Sequence, residues 1–245
     1  MLIPNNKLDT MELLYPKRKP VGKVKIDVSN PLSIGLIGYW SFGSSDRLKD
    51  LARGNDAYIV NAPLLNVNSI STDRVTPKYI QIDDPNAIYG DDSNGMTINA
   101  LVRFDVFNTW NKGITKKGSL SWTSDGWSMG EGSSTTELQY TFKNTDGRAA
   151  LTQSMIGEWF NLTLVSRRGS PDAVEFYLEG ILVSTSLFRN FGTPTTQPLT
   201  IGQYSGEVGH NTSMTIKHLG IYNRALSAQE IKFLYDSPYQ FLMPA

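Results

Sequence analysis

The feature that most restricts the fold of this chain is a repeat of two. In the run Met96-Thr-Ile-Asn-Ala-Leu-Val-Arg-Phe104, residues Met96, Ile98, Ala100, Val102 and Phe104 fall on one face. Thr97, Asn99 and Arg103 fall on the other, with Leu101 the exception. Successive side chains of a strand point to opposite faces, so this alternation is that of a strand with one apolar side. Similar runs occupy Gly38 to Phe42, Tyr79 to Ile82, Leu138 to Phe142, Phe160 to Val165, Val174 to Leu178, Ile181 to Ser184, Leu199 to Ile201 and Ile216 to Tyr222. Turn signals separate them: Arg53-Gly54-Asn55-Asp56, Asp91-Asp92-Ser93-Asn94-Gly95, Asp146-Gly147, Glu179-Gly180 and Gly206. Many short strands without alternating helices predict an all-β sandwich of two antiparallel sheets rather than βαβ units.

One helix stands apart near the C-terminus. Ser227-Ala-Gln-Glu230 is a capping box, in which the Ser227 hydroxyl accepts from the Glu230 amide while the Glu230 carboxylate reaches back to the Ser227 amide. Leu226 and Ile231 fit a hydrophobic staple around it. Ile231, Leu234 and Tyr235 then recur at helical spacing, and Ser237-Pro238 ends the run. The pattern predicts a short helix over 228 to 235.

Charge and cysteine content remove whole classes of function. Lys plus Arg and Asp plus Glu are 23 each, so the net charge is zero, which argues against a strongly basic nucleic-acid binder and against an acidic disordered tail. With no cysteine the chain has no disulfide, no thiolate metal site and no cysteine nucleophile. No apolar run reaches a membrane span, and the opening residues lack a signal-peptide layout. The expectation is a soluble protein that is not Sec-exported, without membrane or nucleic-acid partners.

Residues 1 to 33 read as an extended arm, 34 to 236 as the sandwich domain and 237 to 245 as a tail. Residues 1 to 30 carry six basic and three acidic groups, and four of the 12 prolines lie within the first 31 positions. Each proline removes a ladder donor and pushes the preceding residue toward extended conformations. Such an arm needs another surface, either its own sandwich or a neighbouring subunit. Leu13, Leu14 and Tyr15 are its candidate apolar anchors, and Lys17, Arg18 and Lys19 would face acidic patches on a partner.

The residues now resemble a known family. Gly35-Leu-Ile-Gly-Tyr-Trp-Ser-Phe42, Leu48-Lys-Asp-Leu-Ala-Arg-Gly-Asn-Asp-Ala-Tyr58 and Ile98-Asn-Ala-Leu-Val102 look like the opening strands of the laminin-G-like, concanavalin A-like jelly roll. Gly157-Glu-Trp-Phe-Asn-Leu-Thr-Leu-Val165 with Val174-Glu-Phe-Tyr-Leu-Glu-Gly-Ile-Leu-Val183 is similar to its central hairpin. Leu219-Gly-Ile-Tyr-Asn-Arg-Ala-Leu-Ser-Ala-Gln-Glu-Ile231 is similar to its closing strand and helix, and is the most specific piece. The resemblance covers roughly residues 34 to 236. The flanks, Lys19 to Asp27, Ser29 to Leu36 and Tyr235 to Phe241, resemble those of laminin-G-like proteins encoded by tailed bacteriophages. That resemblance implies a virion structural protein, most simply a capsid decoration or cement protein held by its arm to a major capsid protein or another virion subunit, as a homo-oligomer or a lattice-bound subunit. The alternative it leaves open is a tail- or surface-associated glycan-binding, lectin-like adhesin.

Catalysis is not expected. Some relatives with this fold carry Glu-x-Asp-x-x-Glu on one strand, a spacing absent here. Glu175 and Glu179 share a strand face, but four residues set their backbones roughly 13 Å apart, beyond the reach of a glycosidase pair, and a solvated face accounts for both. His210 and His218 form no ligand pair and read as surface or packing residues. No cofactor is expected. Calcium is a weaker candidate: Asp46, Asp50, Asn55 and Asp56 share an early loop, and Asp83, Asp84, Asp91 and Asp92 cluster later, although turns use the same residues for backbone reasons. Trp40 and Trp159 read as core. Phe107, Trp110, Trp122 and Trp127 lie in a Gly- and Ser-rich stretch, where they serve local packing, a protein partner or a glycan.

Overall fold

A computed structural model describes residues 22–42, 48–61, 63–66, 69–73, 78–83, 95–106, 113, 115–117, 127–132, 136–142, 145–150, 156–168, 172–187, 198–203 and 211–245. In chain order the strands are β1 (Val24–Ile26), β2 (Leu36–Ser41), β3 (Ala57–Val60), β4 (Leu64–Leu65), β5 (Ile70–Ser71), β6 (Tyr79–Ile82), β7 (Met96–Val106), β8 (Thr115–Lys117) and β9 (Trp127–Glu131). They continue as β10 (Glu137–Phe142), β11 (Thr145–Ala150), β12 (Trp159–Arg167), β13 (Ala173–Leu178), β14 (Ile181–Leu187), β15 (Leu199–Ile201) and β16 (Ser213–Tyr222), then helix α1 (Ala228–Asp236) and β17 (Leu242–Pro244). One sheet has the order β11-β10-β9-β8-β15-β6-β3. The other is eight-stranded, in the order β14-β13-β12-β7-β16-β5-β4 with β2 also paired to β16. The ladders are antiparallel, as the alternation predicts.

The two inner faces meet in one core. Trp40, Phe42, Ile80, Ile98, Phe104, Leu162, Phe176 and Leu219 are all buried there, and burial of such side chains is the main stabilising contribution of the sandwich. Trp40 is in the core as expected, its indole N–H donating to the Asn55 carbonyl at 3.0 Å. The β13–β14 hairpin closes through Glu179 and Gly180, both at positive φ, 54° and 74°. That is the backbone of a two-residue hairpin turn whose twist matches its strands.

One turn signal is corrected. Asp146 and Gly147 lie inside β11, opposite Thr141 and Tyr140. A Cβ on Gly147 would stand 1.9 Å from the Tyr140 ring, so this glycine makes room for a cross-strand aromatic instead of turning the chain.

Helix α1 forms where the capping box sets it. The Glu230 amide donates to the Ser227 hydroxyl at 3.2 Å and the Ser227 amide to the Glu230 carboxylate at 2.8 Å. Ile231 and Leu234 are buried beneath it.

A second apolar cluster covers part of the outer face of the eight-stranded sheet. It joins Leu36, Tyr39, Val165, Tyr177 and Tyr222 of the strands to Leu226, Ile231, Leu234, Tyr239, Phe241 and Leu242, and to Val24 and Leu32. Residues 22–33 and 237–245, which the sequence sets outside the domain, therefore lie on the sandwich itself. β1 pairs with β17 from Val24 opposite Pro244 to Ile26 opposite Leu242, and the Asn30 side-chain amide donates to the Gln240 carbonyl at 3.3 Å. The physical reason is that proline excludes a chain from a sheet interior but not from a two-stranded ribbon, and these segments carry enough apolar side chains to cover a sheet face. Leu13, Leu14, Tyr15, Lys17, Arg18 and Lys19 lie outside the described residues.

Candidate functional site

The alternation of β12 buries Phe160, Leu162 and Leu164, which leaves Trp159, Asn161 and Thr163 facing outward. Asn161 and Thr163 lie under the terminal cover. Trp159 lies beyond it, partly exposed. The registers place Trp159 opposite Arg103 on β7, Arg103 opposite Thr215 on β16, and Thr215 opposite Ser71 on β5. These four side chains form a row across four adjacent strands, roughly 14 Å long at a strand spacing of about 4.8 Å.

The row is tied by hydrogen bonds. Asn66 Nδ2 donates to Ser71 Oγ at 2.8 Å, Ser71 Oγ donates in turn to Thr215 Oγ1 at 2.8 Å, and Thr215 Oγ1 donates to Asp105 at 3.0 Å. Arg103 Nε donates to the same carboxylate at 3.0 Å. At the other end the Arg103 guanidinium lies 5.5 Å from the centre of the Trp159 ring, and Lys217 Nζ lies over that ring at 3.9 Å. Both distances are within cation–π range. Lys217 follows the inward-facing Ile216 and so points to this face, and the irregularity between Ile216 and His218, which leaves Lys217 as the extra residue, turns His218 to the same side. Burial, and then the positive charge of Arg103, hold the Lys217 ammonium below its ordinary pKa.

Where the open and covered halves meet, the polar side chains are buried and bonded. His218 Nε2 lies 3.0 Å from Asn99 Oδ1, and Asn99 Nδ2 donates at 2.8 Å both to Asn161 Oδ1 and to Thr163 Oγ1. The His218 ring stacks on Tyr39 at 5.9 Å and meets Tyr239 edge-on at 5.5 Å. His218 is thus a packing residue; His210 lies outside the described residues.

The other sequence candidates fall in several places. Trp127 is 2% exposed in the core, so its ring is offered to no ligand, because the stretch read as loop is strand β9 at that point. Phe107, Trp110 and Trp122 lie outside the described residues, as do Asp46, Asp84, Asp91 and Asp92. Asp50 is buried, and its carboxylate accepts from the amides of Tyr39, Ala52, Arg53 and Asn55 at 2.9 to 3.2 Å. Asp56 accepts from the Asp50 amide at 3.1 Å and pairs with Lys49. Asp83 accepts from Gln81 Nε2 at 2.7 Å. Asp50 thus organises the loop's backbone, and no group of three or more metal-binding side chains occurs among the described residues.

Glu175 and Glu179 are engaged too, not simply solvated. Glu175 accepts from Arg167 Nε and the Tyr177 hydroxyl, each at 2.7 Å. Glu179 accepts from the Asn161 amide at 2.6 Å, and burial pushes its pKa up even though that bond and one from Tyr235 favour the charged form.

Sequence reasoning placed Trp159 in the core, yet the alternation through Phe160, Leu162 and Leu164 was the signal that puts it outside. Lys217 had the same signal, since Met214 and Ile216 before it point into the core.

The profile described as the concanavalin A-like lectin/glucanases superfamily matches residues 76–232, more than half of the chain. The chain belongs to this superfamily. No curated protein matches it in sequence. Among solved structures, the binding domain of botulinum neurotoxin serotype D/C is 16% identical with a TM-score of 0.62, over 84% of this chain and 52% of that one. The binding domain of Paraclostridial mosquitocidal protein 1 is 16% identical with a TM-score of 0.63, over 83% and 52%. The binding domain of botulinum neurotoxin DC, in complex with rat synaptotagmin II, is 16% identical with a TM-score of 0.64, over 83% and 52%. The chain spans about half the length of these structures, and at such identities the likeness is one of fold. The two-sheet jelly roll implied by the laminin-G-like motifs is therefore the observed architecture.

Proposed function

We propose that this chain is a non-catalytic, lectin-like module that binds carbohydrate on the open half of its eight-stranded sheet. The observation that carries the reading is the row Trp159, Arg103, Thr215 and Ser71. The partly exposed indole, with Lys217 over its ring, offers apolar ring surface to a sugar, and the guanidinium, the Lys217 ammonium and the Ser71 hydroxyl beside it supply polar groups for sugar hydroxyls, while the buried Thr215 ties the row together from beneath. Its length suits a short oligosaccharide. Superfamily membership supports the reading, as does a solved structure of similar fold, at 17% identity, whose description makes the cell entering of botulinum neurotoxin type C depend on two ganglioside molecules.

A place in a virion shell rests on residues 1–19 and on the flanking motifs, and the open face of the sheet favours the glycan reading over it. The experiment is a glycan array probed with the whole chain and with Trp159→Ala. Binding of at least one glycan is expected, weakened about tenfold or more by the substitution, as when an aromatic anchor is truncated at an interface. Binding that ignores Trp159→Ala, or release of reducing sugar from the bound glycan, would overturn it.

A further inference from the structure

Charge on the open half of the sheet is unbalanced around the indole. Two cations, Arg103 and Lys217, converge on Trp159, with Nζ of Lys217 at 3.9 Å and the guanidinium carbon of Arg103 at 5.5 Å from the ring centre. Among the described residues the carboxylate bonded to the row is Asp105, and both the Arg103 guanidinium, at 2.9 Å, and the Thr215 hydroxyl, at 3.0 Å, already bind it. Lys217 has no carboxylate partner among the described residues. Its ammonium is half-buried and sits beside a second positive charge, an arrangement that costs free energy in the free protein and is relieved by an incoming negative group. An indole face supplies only part of that compensation.

Resting on the carbohydrate reading above, we infer that the ligand is an acidic saccharide, whose anionic group sits between Lys217 and the outer edge of Arg103 while a sugar ring lies against Trp159. The arrangement explains why the extra residue of the β16 irregularity is a lysine aimed at the indole: it brings a point charge to the end of a row that otherwise offers only neutral donors and a satisfied ion pair. Two kinds of anion meet this chemistry, a carboxylate and a sulfate ester, since both accept charge-assisted hydrogen bonds.

The test uses matched sets on common backbones: lactose, sialyllactose and sulfolactose, and chondroitin fragments in carboxyl-reduced, native and sulfated form. Calorimetric titration of the whole chain should show at least one acidic member binding about tenfold or more tightly than its neutral counterpart, with the preference shrinking as salt is raised. The carboxylated and sulfated arms read which anion is preferred. Lys217→Met, which keeps the aliphatic stem, should bring acidic and neutral members to within about twofold of each other. Should that variant fail to fold, Arg103→Gln carries the same test. Equal binding of neutral and acidic members would overturn this inference and leave the carbohydrate reading standing. Binding of no member of either set, with no hit on the glycan array, would overturn both. An acidic preference that survives unchanged in a folded Lys217→Met or Arg103→Gln protein would place the anion elsewhere and overturn the site.

Discussion

The outer face of the eight-stranded sheet divides into a half roofed by the chain's own end segments and a half left open, and the two are built from different chemistry. Under the roof, Tyr39, Tyr222, Val165 and Tyr177 meet Leu234, Tyr239 and Phe241, and polar groups such as Thr97 and Asn99 are committed to partners within the chain. The Thr97 hydroxyl, for instance, donates to the Arg224 carbonyl at 2.8 Å and accepts from the Leu226 amide at 2.9 Å, tying strand β7 to the segment before α1. In the open half the same strands carry Arg103, Asp105 and Trp159 at the surface over a buried Thr215, and the exposed groups bond along the surface and leave capacity for a ligand. One sheet thus separates stability from recognition by where its cover stops.

The sharpest way to break this comparison is to remove an anchor of the roof. Phe241 is 1% exposed and meets Tyr39 edge-on at 5.0 Å, so Phe241→Ala should cost about 3 to 5 kcal/mol in urea denaturation, whereas substitutions in the open half leave the midpoint nearly in place. A loss under about 1 kcal/mol would mean that the roof is not part of the cooperative fold.

A smaller effect should come from Glu179, at the margin of the roof, where burial raises the carboxyl pKa. A carboxyl that holds its proton more tightly in the folded state loses stability as pH rises from the ordinary glutamate range through the raised folded value. Glu179→Gln should therefore be more stable than the parent above that window, equal to it below, and flatter in its dependence on pH. Parallel pH curves for the two proteins would show that the carboxyl titrates as it does in the unfolded chain.

The smallest effect belongs to the open half. The Arg103–Asp105 pair is more than a third exposed on both sides, so Arg103→Gln should change stability by no more than about 1 kcal/mol, read by the same denaturation. A larger loss would make the row a structural element and weaken its reading as a binding surface.

Much of the fold was legible because it is written in local rules. The alternation from Met96 to Phe104 predicted β7, and the box from Ser227 to Glu230 predicted α1 to within a residue of its end. What was not legible depends on distant partners. Val24 and Leu32 look like residues of a loose arm until Tyr239 and Phe241, some two hundred positions later, are known to lie beside them. Gly147 looks like a turn until Tyr140 is placed opposite. Thr97 and Asn99 are predicted to face water and are buried, because the alternation tells which side of a strand a residue takes but not what lies on that side. Of the candidate site, Arg103 was placed correctly on the outer face, and Trp159 and Lys217 were recoverable from their neighbours' period, whereas the meeting of the two side chains depended on the pairing of distant strands.

The pairing of β1 with β17 also sets how the molecule would respond to load. Val24 stands opposite Pro244, so the chain enters and leaves the ribbon at the same end. Tension applied through segments attached before residue 22 and after residue 245 would act across this pair in the unzipping direction, opening its hydrogen bonds one at a time rather than shearing them together. A pull on the chain would peel the roof from the sheet before it strained the sandwich, and the row around Trp159, which takes no residue from the roof, would keep its geometry through that first event.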